Sequence, residues 1–314
     1  MNQRVELRHR VLLGGLPQQV LVRGADAAKP LLLILHGGPG FAEMPLFTTY
    51  NTDLEQHFLV AHWDQRGAGM SHAPDIPAES MTLRQFVADA LELIDWLTER
   101  FSQDKVYLLG HSWGSLVGAI LASESPEKVH VYVGVGQLVA GLRNEQASYA
   151  FTLRRARELQ NSEAISALRA IEHRYRADGG LTFADVVVQR AWLDRFGGMA
   201  HGDTAALFER VAPELREQYF GELNAVAQEF SFGHLMPDFL AADLTRTART
   251  FDIPVHLVVG RHDQNTPAQL AVEYFDAIEA PVKQLHWFEH SAHMMPFEEP
   301  AKFNALLTDV VLVP

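Results

Sequence analysis

The chain has 314 residues, 47% hydrophobic and 21% charged, with a formal net charge of −13 and no cysteine. That composition belongs to an ordinary folded protein long enough to bury a large core, not to a disordered one. Absent cysteines exclude disulfides, thiolate metal sites and a cysteine nucleophile. The acidity, with no basic tract to neutralise phosphates, argues against nucleic acid or an anionic membrane as partner.

Near the start, the apolar run Val11 to Leu13 is too short for the apolar region of a signal peptide, so a cytoplasmic location is expected. No apolar string approaches the roughly 20 residues that a membrane-spanning helix needs. Residues 4–23 alternate polar and apolar around Gly14-Gly15, which predicts an antiparallel hairpin at a sheet edge. Five runs dense in Val, Leu and Ile follow: Leu31–Leu35, Phe58–Trp63, Val106–Leu109, Val129–Val135 and Val255–Val259. Such runs predict buried parallel strands. Between the second and third, Leu83, Phe86, Val87, Ala90, Leu91, Ile94 and Leu97 recur at helical spacing, with Thr82 and Gln85 as a capping box. Strand, helix, strand at this spacing predicts an α/β fold with a mostly parallel central sheet and helices on both faces.

From about Gly141 the strand signal stops, and helices are expected over 145–160, 162–176, 182–196 and 213–228 before a strand returns after Asp252. We read 1–140 and 248–314 as one core domain and 141–247 as an inserted helical cap over the carboxyl ends of the strands, where open sheets bind ligands.

The strongest chemical signal is Gly110-His111-Ser112-Trp113-Gly114, after one predicted strand and before the apolar helix Leu116–Ala122. This is a G-x-S-x-G nucleophile elbow in its strand-turn-helix context, which nominates Ser112 as nucleophile. Side chains at the two glycines would collide with neighbouring backbone on so tight a turn. His36-Gly37-Gly38-Pro39-Gly40, directly after the strand Leu31–Leu35, nominates the Gly38 amide to complete an oxyanion hole with that of Trp113. His36 and His111 are candidates for touching substrate. In Asp64-Gln65-Arg66-Gly67, Asp64 and Arg66 are expected to pair, or to bind loop backbone, and so brace the oxyanion loop.

A serine needs a base and an orienting acid, and here acid then histidine should follow it. Asp263, just past Val255–Val259, is the candidate acid; Asp252 lies at the wrong end of that strand, and 129–142 contains no carboxylate. His293, in the loop after a strand at 284–288, is the candidate base, with His290 as its competitor. No H-E-x-x-H pattern occurs, and neither a metal nor a cofactor is expected.

HGGPG at 36–40, DQRGAGMS at 64–71, GHSWGS at 110–115, GRHD at 260–263 and SAHMMPFEEP at 291–300 together resemble the α/β-hydrolases that include the proline iminopeptidases. The resemblance implies a lid of helices and a catalytic serine, aspartate and histidine at those positions. Iminopeptidases usually carry GGSWG at the elbow, whereas His111 stands here, and they hold the substrate's free amino group with acidic residues of the cap. The cap offers Glu145, Glu158, Glu172, Asp185, Asp194, Glu209 and Glu229, and nothing in their spacing selects a pair.

Its aromatics Tyr149, Phe151, Phe183, Trp192, Phe196, Phe208, Phe230 and Phe232 are expected mainly to pack the cap's own core. Some of them would line an apolar acyl pocket. The expected substrate is therefore a small-molecule ester or bulky, macrolide-type lactone, with a short peptide beginning in proline as the alternative. A non-catalytic ligand receptor on the same scaffold is a distant reading. The sequence leaves the oligomeric state open.

Overall fold

The computed structural model describes residues 4–177 and 179–312. One eight-stranded sheet runs through it: β1 (Val5–Leu13), β2 (Leu16–Gly24), β3 (Leu31–Leu35), β4 (Leu59–Trp63), β5 (Val106–His111), β6 (Val129–Val135), β7 (Val255–Gly260) and β8 (Lys283–Phe288), in the order β1-β2-β4-β3-β5-β6-β7-β8. β1 and β2 form the expected edge hairpin, in register from Val5 opposite Gly24 to Leu13 opposite Leu16. β2 meets β4 antiparallel, and every later pairing is parallel. Both faces of the sheet are covered, so β3, β4 and β7 are buried along their whole length. That is why these strands read as continuous apolar runs rather than as alternation.

Helix Leu83–Phe101 begins one residue after Thr82, whose hydroxyl accepts from Gln85 N at 3.2 Å. The expected capping box is only half formed. The Gln85 side chain turns instead to Asp89 Oδ1, 2.8 Å away, because Asp89 is fully buried and collects donors. Arg66 meets it with two bonds, Nε to Oδ2 at 2.9 Å and Nη2 to Oδ1 at 3.0 Å, and Gln18 Nε2 adds a third at 2.7 Å. Arg66 also donates to the carbonyls of Leu13 and Gly14 and to Ser80 Oγ. A guanidinium this deep needs all its donors met. One ion pair thereby joins the hairpin, the loop after β4 and the first long helix. The expected Asp64–Arg66 pair does not form, since Asp89 takes Arg66.

Between β6 and β7 the described residues are helical apart from turns, loops and residues of two isolated bridges: Gly141–Glu158, Ser162–Ile171, Phe183–Arg195, Thr204–Glu209, Pro213–Phe220, Glu222–Ala241 and Leu244–Thr247. The helix expected over 213–228 is two helices. Gly221, at φ −78, ψ −167, leaves the helical region and caps the second, which runs to Ala241 with Pro237 inside it. The expected helix over 162–176 closes at Ile171 into a 3₁₀ turn. The two ends of this excursion are stapled together: Ala140 bridges Asp243, Gly141 N donates to Ala242 O at 3.0 Å, and Leu244 N to Val139 O at 2.8 Å. Among the described residues no helix is long and apolar enough to cross a membrane.

Removing one partner of the Arg66–Asp89 pair leaves a buried, uncompensated charge. Asp89→Ala is expected to lower unfolding stability by about 3–5 kcal/mol, against less than about 1 kcal/mol for removal of the exposed Arg84–Glu124 pair. Denaturant titration of both variants measures the contrast.

Candidate active site

Ser112 follows β5 at φ 54, ψ −119 and caps helix Trp113–Glu124 without giving its side chain to the cap. Its amide is tied to Val135 O of the neighbouring strand at 2.9 Å. The turn closes because its flanks lack side chains. A Cβ on Gly110 would lie 2.4 Å from Gly114 O, and one on Gly114 would lie 2.0 Å from Leu35 O. The hydroxyl is thus presented at the carboxyl edge of the sheet, beside the positive end of a helix.

The loops after β7 and β8 come together there. Asp263 is buried, and its Oδ2 lies 2.9 Å from His293 Nδ1. Thr266 Oγ1 donates to the same oxygen at 2.8 Å, while the amides of Asn265 and Thr266 both donate to Oδ1 at 2.9 Å. The carboxylate's lone pairs are therefore committed, and the imidazole is held with Nδ1–H toward it. His290 is exposed and belongs to a separate shallow depression with His201 and Glu298, away from Asp263. Asp252 is exposed just before β7, at the end opposite the site.

Ser112, His293, Gly38 and Trp113 all line one cavity of about 470 Å³. The Gly37 amide is already taken, donating to Glu43 Oε2 at 3.0 Å, so Gly38 is the next amide along the loop. His36 and His111, the candidates for touching substrate, do not line the cavity. His36 is buried, with Nδ1 2.8 Å from Gly37 O and Nε2 accepting from Gln65 N at 3.0 Å; burial pulls its pKa down to about 4, so it is neutral. His111 is buried between Glu43 and the carbonyl of His293. Both imidazoles are consumed by backbone and carboxylate contacts behind the wall.

The loop after β3 is braced by the residue between the two that the sequence suggested. Gln65 Nε2 donates to His36 O at 2.8 Å, and Gln65 Oε1 accepts from the Trp113 indole at 3.1 Å. A glutamine in a polar tetrapeptide carries no signal of this; only its position between two loops reveals it.

Helices of 141–247 supply the facing wall. Of the seven acidic candidates, Glu145 and Asp194 line the cavity. Glu145 is fully buried, with Arg190 Nη2 2.6 Å from Oε1, while Asp194 is exposed and accepts from Thr204. Asp185 caps its own helix, Glu158 pairs with Arg155, and Glu172, Glu209 and Glu229 are exposed. Of the aromatics, Phe183, Phe208 and Phe232 line the cavity, joined by Phe41 and Phe239. Tyr149 stacks on Tyr175 at 4.3 Å, and Trp192 on Phe196 at 6.0 Å, packing the helices as expected.

The sequence pattern described as the alpha/beta hydrolase fold matches residues 30–300. The chain is 31% identical over 311 residues to the probable aminopeptidase YbaC of Bacillus subtilis, covering 97% of this chain and 96% of that one. The chain belongs to the α/β-hydrolase family. A proline iminopeptidase of Heyndrickxia coagulans is 23% identical over 88% of this hydrolase and 89% of its own length. The crystal structure of a Mycobacterium smegmatis proline iminopeptidase shares the fold, with a TM-score of 0.70, 22% identity and 97% of each chain covered.

One further group of the hydrolase joins the loop after β4 to the helices of 141–247. Asp64 Oδ2 accepts from Met70 N at 2.9 Å and from the Tyr219 hydroxyl at 3.0 Å. Burial pushes its carboxyl up to about 7, against the opposing pull of those donors and of Arg8. Between about pH 4 and 7 the folded protein keeps this proton and the unfolded chain releases it, so the group's contribution to stability falls as pH rises through that window. Asp64→Asn removes the penalty. Its melting temperature relative to the parent is expected to be at least about 2 °C more favourable at pH 8 than at pH 5 in calorimetric scans.

Proposed function

We propose that this hydrolase cleaves a carboxylic amide or ester through an acyl-enzyme on Ser112. The observation that carries this is the Asp263–His293 pair converging on the same cavity as the strained Ser112 elbow. His293 takes the hydroxyl proton as Ser112 Oγ attacks the carbonyl carbon, and Asp263 fixes the tautomer and stabilises the imidazolium. The Gly38 and Trp113 amides receive the oxyanion. His293 then protonates the departing amine or alcohol, and water, deprotonated by the same imidazole, releases the acid and restores the serine. The helices of 141–247 act as the lid over this site.

The wall suggests what is bound. Apart from Glu43, whose carboxylate is taken up by His111 and the Gly37 amide, it carries Glu145 and Asp194 against one cation, Arg190. Among the described residues, Asn144 Oδ1, Glu145 Oε2 and Asn265 Oδ1, buried atoms of residues at this wall, have no hydrogen-bond donor. Buried acceptors left unmet cost about 1–3 kcal/mol each, a cost that a donor brought by the substrate would offset once the wall adjusts to expose them. The apolar side chains opposite suit a bulky acyl group. We therefore favour an aminoacyl substrate with a free amine and an apolar side chain over the neutral ester or lactone that the sequence suggested. The relative named as a probable aminopeptidase supports the same choice.

Turnover of leucine, phenylalanine and proline p-nitroanilides, with and without N-acetylation, beside aryl esters and large lactones, tests this reading. Free-amine substrates are expected to exceed their acetylated forms by about 10-fold or more in kcat/KM, and Glu145→Gln to erase most of that margin. Equal turnover of both forms, or turnover of neutral esters alone, sinks the amine assignment. Ser112→Ala should abolish activity and fluorophosphonate labelling; retained activity defeats the mechanism. His293→Gln should be inactive, and His290→Gln close to the parent.

A further inference from the structure

One buried carboxylate–imidazole pair beside the nucleophile has no part in that chemistry. Glu43 and His111 are 2% and 1% exposed, with Glu43 Oε1 2.8 Å from His111 Nδ1. Each partner reaches a different catalytic loop. Glu43 Oε2 accepts the Gly37 amide, next to the proposed oxyanion donor, and His111 Nε2 lies 3.0 Å from the backbone carbonyl of the base, His293. His111 itself immediately precedes Ser112. We propose that Glu43 and His111 form a proton-carrying clamp that holds the oxyanion loop and the base loop at a set distance from the nucleophile. Both act as positioning residues, and the inference rests on reading Ser112 as the nucleophile.

Hydrogen-bond chemistry requires the proton. A carbonyl only accepts, so Nε2 must carry hydrogen. A neutral imidazole with its hydrogen there would set the bare Nδ1 lone pair against a carboxylate. The other tautomer would set the Nε2 lone pair against the His293 carbonyl. Both contacts are bonds only when one further proton lies between Nδ1 and Oε1. Burial by itself pulls His111 down and Glu43 up, yet the charge and hydrogen bond of each partner outweigh it, leaving the imidazole above its ordinary range and the carboxyl below.

The other titratable groups facing His111 are His36 on the oxyanion loop, which is neutral, Asp263 on the acid loop, and His293, whose ring centre is 4.8 Å away. Phe297 closes the remaining side edge-on. Because the imidazole's pKa is raised, the clamp is complete below that pKa and loses one contact as pH rises through it. The consequence is an alkaline fall in kcat set by Glu43.

Glu43→Gln separates charge from geometry. Its carboxamide can accept from Gly37 N and donate to Nδ1 of a neutral His111, keeping every contact without a titrating proton. We expect this variant to fold, to lose no more than about 10-fold in kcat at pH 7 with KM little changed, and to lack the parent's alkaline fall up to pH 10. An unchanged alkaline limb, or a uniform loss at every pH, overturns the clamp. The second measurement needs neither activity nor that variant's folding. Long-range nitrogen–proton spectra of histidine-labelled Ser112→Ala should show one imidazole protonated on both nitrogens at pH 8, and finding none overturns the proposal. Activity retained by Ser112→Ala would instead remove the nucleophile assignment and leave the spectral result standing.

Discussion

Ser112 is held at φ 54, ψ −119, a backbone state that costs on the order of 1–3 kcal/mol and persists only where the surroundings over-determine it. Here β5 is paired on both sides, the Ser112 amide is bound to β6, and a buried helix departs at once. The close passages at Gly110 and Gly114 leave no room for any other residue. The remaining features of the site are arranged about that fixed point: the helix end beside Ser112, the loop from β3 that lies against it, and the loops that bring the Asp263–His293 pair to the same cavity.

Four buried carboxylates then tie distant stretches of chain to one another, each matched to one cationic or protonatable side chain. Asp89 with Arg66 joins hairpin, loop and helix. Asp263 with His293 joins the loops after β7 and β8. Glu43 with His111 joins the loop after β3 to the elbow, and Glu145 with Arg190 joins two helices of the facing wall. Pairs so deep contribute little net stability against a well-packed apolar alternative. Their directional bonds, however, admit one arrangement, which a site with tolerances of about half an ångström needs. Asp64 lacks a cationic partner of this kind, and its carboxyl accordingly stays protonated to near neutrality.

The cavity combines two demands that rarely coincide in a protein core. Apolar rings from three helices and from the loop after β3 leave space for a large apolar group, while among the described residues buried carboxylate and amide oxygens of the same wall have no donor. The first feature suits neutral esters and apolar peptides alike. The second would favour a substrate that brings hydrogen-bond donors, which is the basis of the amine proposal.

By itself the sequence determined the sheet, its buried strands, the helical excursion and the identities of Ser112, Asp263 and His293 as candidates, because those features follow from local pattern. Apolar runs, helical spacing and glycines at fixed offsets from a nucleophile are all short-range information. Tertiary structure alone decided which histidine meets Asp263, that His36 and His111 lie behind the wall rather than in it, and that Glu145 is the one buried acid of the cap candidates. It also moved the loop brace from Asp64 and Arg66 to Gln65, and paired Arg66 with Asp89 in a helix whose capping signal seemed complete. Each of these depends on which side chains meet across many intervening residues. The hydrogen-bond demand of a buried group is a property of its surroundings, and a linear sequence does not state what those surroundings are.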